Sequence, residues 1–84
     1  MYYVYLLKSK KDNSLYLGYS NNIKRRLLEH NLGKNTSTSL KTPWELIYCE
    51  VYKSQDDAQK RESKLKHHGK GIQELKKRLE KSLS

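Results

Sequence analysis

The chain has a single cysteine, Cys49, in 84 residues. One cysteine excludes a disulfide framework and a cysteine-based zinc cluster, and makes a reducing, cytoplasmic setting the expectation. Acidic residues are scarce too. The 9 Asp+Glu stand against 18 Lys+Arg, which leaves a formal net charge of +9 and a sequence pI of about 9.7. Long apolar runs are missing. Met1–Leu7 is the longest, far below the roughly 20 residues of a membrane-spanning helix. It lacks the basic lead-in and small-residue cleavage site of a secretory signal. Apolar residues make up only 35% of the chain, so the core must be thin. Seven Tyr, one Trp and many Leu still supply enough bulk to argue against disorder. The length predicts one small domain over residues 1–84. The basic balance predicts a polyanionic partner without naming it.

Met1–Leu7 is rich in β-branched and aromatic residues, and Leu15–Tyr19 alternates, so both read as strands. The polar stretch Lys8–Ser14, with Asp12-Asn13 as turn chemistry, makes them a hairpin. A turn centred near Lys11-Asp12 sets Tyr5 opposite Gly18 and Leu7 opposite Tyr16. Asn21 or Asn22 can cap a helix whose inner positions are Ile23, Leu27 and His30, and Gly33 marks its stop. Gly33–Pro43 is a polar loop, long for a small domain. Trp44–Tyr52 reads as a third strand, with Leu46, Tyr48 and Tyr52 on one face and Ile47, Cys49 and Val51 on the other. Cys49 reads as a buried strand residue. Ser54 followed by Asp57 resembles a capping box for a helix from about Gln55 to His68. Gly69-Lys70-Gly71 is expected to break it, and Ile72, Leu75, Leu79 and Leu83 mark the stripe of a last helix. The order β-β-α-β-α-α predicts an α+β fold: a three-stranded, mainly antiparallel sheet flanked by three helices.

Several positions are odd for a plain core. Tyr5 and Tyr16 fall diagonally on one hairpin face, and Gly18 leaves a gap beside Tyr5 where a ligand backbone can approach. Half-buried tyrosines on strands are also ordinary. Arg26 and His30 stack on one helix face and border its buried stripe. A surface ion pair accounts equally for Arg26, and the helix dipole for His30. Glu62 shares the inner face of the second helix with Ala58 and Leu65, where a carboxylate needs a partner. Arg61 and Lys66 are candidates. The other is Mg²⁺, which keeps several waters and needs only one or two protein carboxylates. His67 and His68 are adjacent, so on a helix they point about 100° apart and do not chelate one metal. Residues 36–39 offer hydroxyls but no activating base, and there is no glycine-rich phosphate loop.

These oddities fall on one pattern. Tyr3-Val4-Tyr5 and Tyr16-Leu17-Gly18 form two triplets, Arg26 follows eight residues after Gly18, and Ala58-Gln59-Lys60-Arg61-Glu62 carries the glutamate. With this ordered set the chain resembles the GIY-YIG nuclease superfamily, in a short standalone form related to the N-terminal catalytic module of the bacterial excision-repair nuclease. The resemblance covers roughly the whole chain. It departs from the family pattern at Tyr3, where the triplet carries Gly, and at Val4 and Leu17, where it carries Ile. Tyr19 and Ser20 stand where some members carry a Lys.

The resemblance implies a metal-dependent endonuclease acting on DNA, with a role in repair or recombination. Tyr5, Tyr16, Arg26 and His30 would be catalytic, and Glu62 would hold one Mg²⁺ or Mn²⁺ ion. Gly18, Lys34, Asn35 and Lys41 would contact the nucleic acid. In that chemistry Arg26 grips a non-bridging phosphate oxygen. Tyr5 or Tyr16 orients or deprotonates the water, helped by Arg26 and the ion, which favour the phenolate. The alternatives are a non-cleaving nucleic-acid-binding or adaptor module on the same fold, and a basic protein whose partner is another protein. From Lys60 onward nine Lys+Arg face three Asp+Glu, so most of the net charge lies on the terminal helices. There it attracts backbone phosphates and carries no chemistry.

Overall fold

The computed structural model describes residues 1–67 and 69–84. The expectations for His68, as helix end and as neighbour of His67, lie outside the described residues. Strands β1 (Tyr2–Ser9), β2 (Leu15–Ser20) and β3 (Trp44–Tyr52) form one antiparallel sheet in the order β2-β1-β3. β1 is central, and Val4, Tyr5, Leu6 and Leu7 are buried in succession because both of its faces are covered. The hairpin has the predicted register, Tyr5 opposite Gly18 and Leu7 opposite Tyr16. At its turn Asn13 takes a φ of 64°, and Ser14, through its hydroxyl and amide, holds the Asp12 carboxyl down to about 2.

β1 alternates between two apolar clusters. Tyr5 and Leu7 face Trp44, Tyr16, Leu46 and the inner side of α1 (Ile23–Asn31), at Ile23 and Leu27. Val4 and Leu6 face Ala58 and Leu65 of α2 (Gln55–His67) and Leu75 of α3 (Gly69–Arg78). The sheet is therefore covered by α1 on one face and by α2 and α3 on the other.

α1 begins where its cap dictates. Of the two asparagines it is Asn22 whose side chain accepts from the Arg25 amide, at 3.1 Å. It ends in a Schellman motif. The Gly33 amide donates to the His30 carbonyl at 3.2 Å and the Lys34 amide to the Glu29 carbonyl at 3.1 Å. Gly33 supplies the φ of +75° the motif needs. The loop that follows contains a short 3-10 turn, Ser39–Lys41. At the start of α2 the Asp57 amide donates to Ser54 Oγ at 3.4 Å, one half of the expected capping box.

Three expectations need correction. The register of β1 against β3 shifts between Leu6 and Leu7, where Tyr48 and Leu46 are the partners and Ile47 is the extra residue. A bulge of this kind reverses which face later residues take. Leu46 therefore joins Tyr5 and Leu7, while Ile47, Tyr48 and Tyr52 pack on the α2 side. Cys49 is half-buried rather than buried. α2 ends at His67 and Gly69-Lys70-Gly71 opens α3, so the two helices are separate as expected, but the last helix divides at Leu79 into α3 and α4 (Glu80–Leu83). The α-helices among the described residues are therefore four.

The roll of α2 on the sheet decides which way Arg61 and Glu62 face. Arg61 and Glu62 flank the buried stripe of Ala58 and Leu65 on opposite sides, at about 100° per residue. Arg61 turns toward β3, donating from Nε to Glu50 Oε1 at 2.8 Å and from Nη2 to Oε2 at 3.0 Å. The hydroxyls of Tyr48 and Tyr52 each donate to the same carboxylate at 2.7 Å. Burial of Glu50 works toward protonation, but Arg61 and the two tyrosines outweigh it and hold the carboxyl below its ordinary value. Arg61 is thus Glu50's partner and not Glu62's. Its bidentate clamp fixes the roll of α2, so that Glu62 lies on the β2 side.

Candidate active site

The site gathers at the outer edge of β2. Tyr5 reaches it from β1 because its cross-strand partner is Gly18. A Cβ on Gly18 would overlap Tyr5 Cζ and Oη and stand 2.9 Å from Cε2. The gap beside Tyr5 is therefore filled by the Tyr5 ring itself, which crosses Gly18 toward the sheet edge, and Gly18 offers no open approach for a ligand backbone there. Tyr5 Oη lies 3.1 Å from His30 Nε2, and His30 Nδ1 lies 2.9 Å from Thr38 Oγ1. Tyr5, His30 and Thr38 are all buried, at 2%, 0% and 1% exposure. Thr38 Oγ1 also donates to the Asn35 carbonyl at 3.4 Å. The tautomer consistent with all three bonds has Tyr5 donating to Nε2, and Nδ1–H donating to Thr38. The Thr38 carbonyl accepts from Trp44 Nε1 at 2.9 Å, which pins the loop to the sheet.

Around this chain the aromatic rings interlock. The Tyr16 ring centroid is 4.8 Å from that of His30 and 6.3 Å from that of Trp44, both edge-on, and 6.4 Å from that of Tyr5. Burial raises the Tyr5 pKa. Arg26 pulls it down, while Tyr16 and Glu62 add to the rise. The net direction is up, so the expectation that Arg26 favours a phenolate is reversed by burial in the resting protein. His30 is pushed below its ordinary value, first by burial and then by the Arg26 charge, so the imidazole is neutral at pH 7.

Arg26 and Glu29 form the open rim. Arg26 Nη1 is 3.1 Å from Glu29 Oε1, three residues along α1, so the surface ion pair expected as one reading of Arg26 exists. Both side chains keep about a third of their surface in water (32% and 29%). They border a concave pocket of about 390 Å³ lined also by His30, Lys34, Asn35 and Thr36. Lys34 and Asn35 thus share this pocket with Arg26 and His30, whereas Tyr5, Tyr16 and Glu62 are not among its lining residues. Asn35 Oδ1 is engaged by the Ser37 amide at 3.0 Å and hydroxyl at 2.6 Å. Lys41 stands elsewhere: Nζ bonds Ser14 Oγ at 3.1 Å and lies 3.6 Å from Asp12 Oδ2, back at the hairpin turn. The fold does not bring it to the pocket.

Glu62 reaches the same edge from α2. Its Oε2 is 3.3 Å from Lys66 Nζ, which itself sits 6.0 Å from the Tyr16 ring centroid. No group of three or more His, Cys, Asp or Glu side chains converges among the described residues, so there is no protein cage for a metal among them. A single, partly exposed carboxylate still suits Mg²⁺ or Mn²⁺. These hard ions retain water and complete their shell with substrate phosphate oxygens.

Thr38, Glu29 and Lys66 do not stand out in the sequence as parts of one site. Thr38 lies in a polar loop whose hydroxyls look alike until the fold lays it against His30. Lys66 carries a weak signal, its position four residues after Glu62.

A family model described as the GIY-YIG catalytic domain matches residues 1–81. The chain belongs to the GIY-YIG family, whose members are nucleases, so the family implies a nucleic-acid substrate. It is 42% identical over 66 residues to a UPF0213 protein of Staphylococcus haemolyticus, covering 77% of this chain and 79% of that one. It is 41% identical over 66 residues to a UPF0213 protein of Natronomonas pharaonis, covering 77% and 76%. The solution NMR structure of a UPF0213 protein from Bacillus halodurans matches with a TM-score of 0.54 and 33% identity, over 89% of this chain and 83% of that one.

Proposed function

We propose that this protein is a metal-dependent endonuclease that hydrolyses phosphodiester bonds in DNA, in repair or recombination, in the reducing cytoplasm. The observation that carries the reading is the convergence of Tyr5, Tyr16, Arg26 and His30, from three different elements, on the β2 edge that Glu62 faces from α2. A plain core would not need a buried tyrosine–histidine pair beside an arginine and an inward carboxylate.

Arg26 exchanges Glu29 for a non-bridging phosphate oxygen, and its planar fork keeps two donors on one anion. Tyr5 receives the proton of the attacking water while passing its own to His30 Nε2, which is neutral and already its bonded partner. The relay removes the need for a standing phenolate, which burial disfavours. Thr38 keeps the imidazole in the accepting tautomer. Tyr16 walls the reacting phosphate against His30. Glu62 would hold one Mg²⁺ or Mn²⁺, an ion that supplies charge neutralisation on the phosphate and the leaving oxygen. Lys34 and Asn35 extend the contact along the nucleic-acid backbone, and the cations of α3 attract it from further away.

The test is a nicking assay over linear, nicked, flapped and branched DNA in Mg²⁺ or Mn²⁺, with Glu62→Gln and Arg26→Ala beside the unmodified chain. Metal-dependent cleavage abolished in both variants supports the reading. Cleavage untouched by both would sink it. Salt-sensitive binding with no turnover on any substrate would identify a non-cleaving module instead.

A further inference from the structure

We propose that Lys66 is a built-in cation that holds the Glu62 carboxylate until a divalent ion displaces it, so that this lysine sets the metal affinity of the site. The inference rests on the reading of Glu62 as the metal carboxylate, and adds a regulator of that same site.

Three observations lead to it. Glu62 lies on the β2 side of α2 because Arg61 is clamped to Glu50 with both guanidinium bonds. Its cation is instead Lys66, at 3.3 Å. The Lys66 ammonium also approaches the Tyr16 ring face, at 6.0 Å from the centroid, so it stands between the carboxylate and an aromatic wall of the site. A positive charge therefore already occupies the surroundings in which a divalent ion would need the carboxylate free. Two like-charged cations cannot share one half-buried carboxylate without cost.

The pair is also built to open. The Lys66 side chain keeps 43% of its surface in water and that of Glu62 keeps 23%, so the pairing is solvated and weak compared with a buried one. The lysine stem is flexible and the ammonium is readily hydrated. Glutamate followed four residues later by lysine is the favourable order on a helix, so the pair re-forms when the ion leaves. Glu62 is thus kept ordered in the free protein without being committed.

Direct Mn²⁺ binding, read by the loss of the free-ion electron paramagnetic resonance signal and without nucleic acid, tests this. Lys66→Met should bind Mn²⁺ about threefold to tenfold more tightly than the unmodified chain. Lys66→Arg, which keeps the cation, should stay near the unmodified value. Lys64→Met removes the same charge from an exposed helix position that makes no ion pair with Glu62, and should change affinity little. Lys66→Gln repeats the measurement should the methionine variant fail to fold. Affinity unchanged in Lys66→Met and Lys66→Gln would overturn the proposal. So would an equal gain in Lys64→Met, which would reduce the effect to net charge. Adding Glu62→Gln separates the two layers. Tight binding that survives it would refute the metal role of Glu62 itself, whatever Lys66 does.

Discussion

Tyr5 Oη and His30 Nε2 stand 3.1 Å apart where both residues are nearly sealed from water. One comes from the central strand and the other from the last turn of α1, so the bond closes the hairpin onto the helix. A buried donor–acceptor pair of this kind costs more to break than to keep, because the abandoned partner has no water to turn to. Tyr5→Phe keeps the ring over Gly18 and orphans His30 Nε2. It should lower unfolding free energy by about 1–3 kcal/mol in urea titrations, and it should remove cleavage activity.

The same pair gives a pH dependence with a definite sign. The folded protein holds His30 below its ordinary value of 6.5, through burial and then the Arg26 charge. On acidification the unfolded chain takes up this proton first. The stabilising contribution is therefore complete above pH 6.5 and is lost as pH falls from there toward the folded value. Urea midpoints of the unmodified chain should drop across that window, and those of His30→Gln should drop less steeply.

Much of the fold is legible in the sequence, and the failures have physical causes. The hairpin register follows from one turn, and Asn22 and Gly33 bracket α1 through local hydrogen bonding. These are short-range devices that the sequence states openly. The bulge at Ile47 leaves no mark, because Leu46, Ile47 and Tyr48 are apolar on either face. The upward shift of Tyr5 is hidden because burial is a tertiary quantity, and it outweighs the neighbouring arginine that the helix spacing reveals. Proximity in sequence groups Lys41 with Lys34 and Asn35, yet the loop between them carries it back to Asp12 and Ser14. Thr38 becomes distinguishable from its neighbours only by its bond to His30.

Gly18 carries a steric prediction. A methyl group there meets the end of the Tyr5 ring, which is hemmed in by His30 and Tyr16. Gly18→Ala should cost about 1–3 kcal/mol in stability, as overpacking of a filled site does. In the ¹⁵N–¹H spectrum the perturbation should centre on residues around Tyr5 and His30.

The terminal cations carry an electrostatic one. Lys76, Lys77 and Arg78 close α3, which packs on the sheet face opposite the α1 helix that carries Arg26 and His30. Changing all three to Gln should weaken DNA binding uniformly across sequences. It should also flatten the dependence of log K on log salt by about 1 for each phosphate no longer neutralised. Single-turnover cleavage at saturating protein should be nearly unchanged.

If Glu62 and Arg26 serve hydrolysis at the edge where Tyr5 meets His30, removing either must slow the chemical step itself. Single-turnover nicking of a DNA substrate in Mn²⁺, at protein concentrations that saturate binding, tests it most directly. The rate should be at least about 100-fold lower for Glu62→Gln and for Arg26→Ala, with DNA still bound. Equal rates for these variants and the unmodified chain would contradict it.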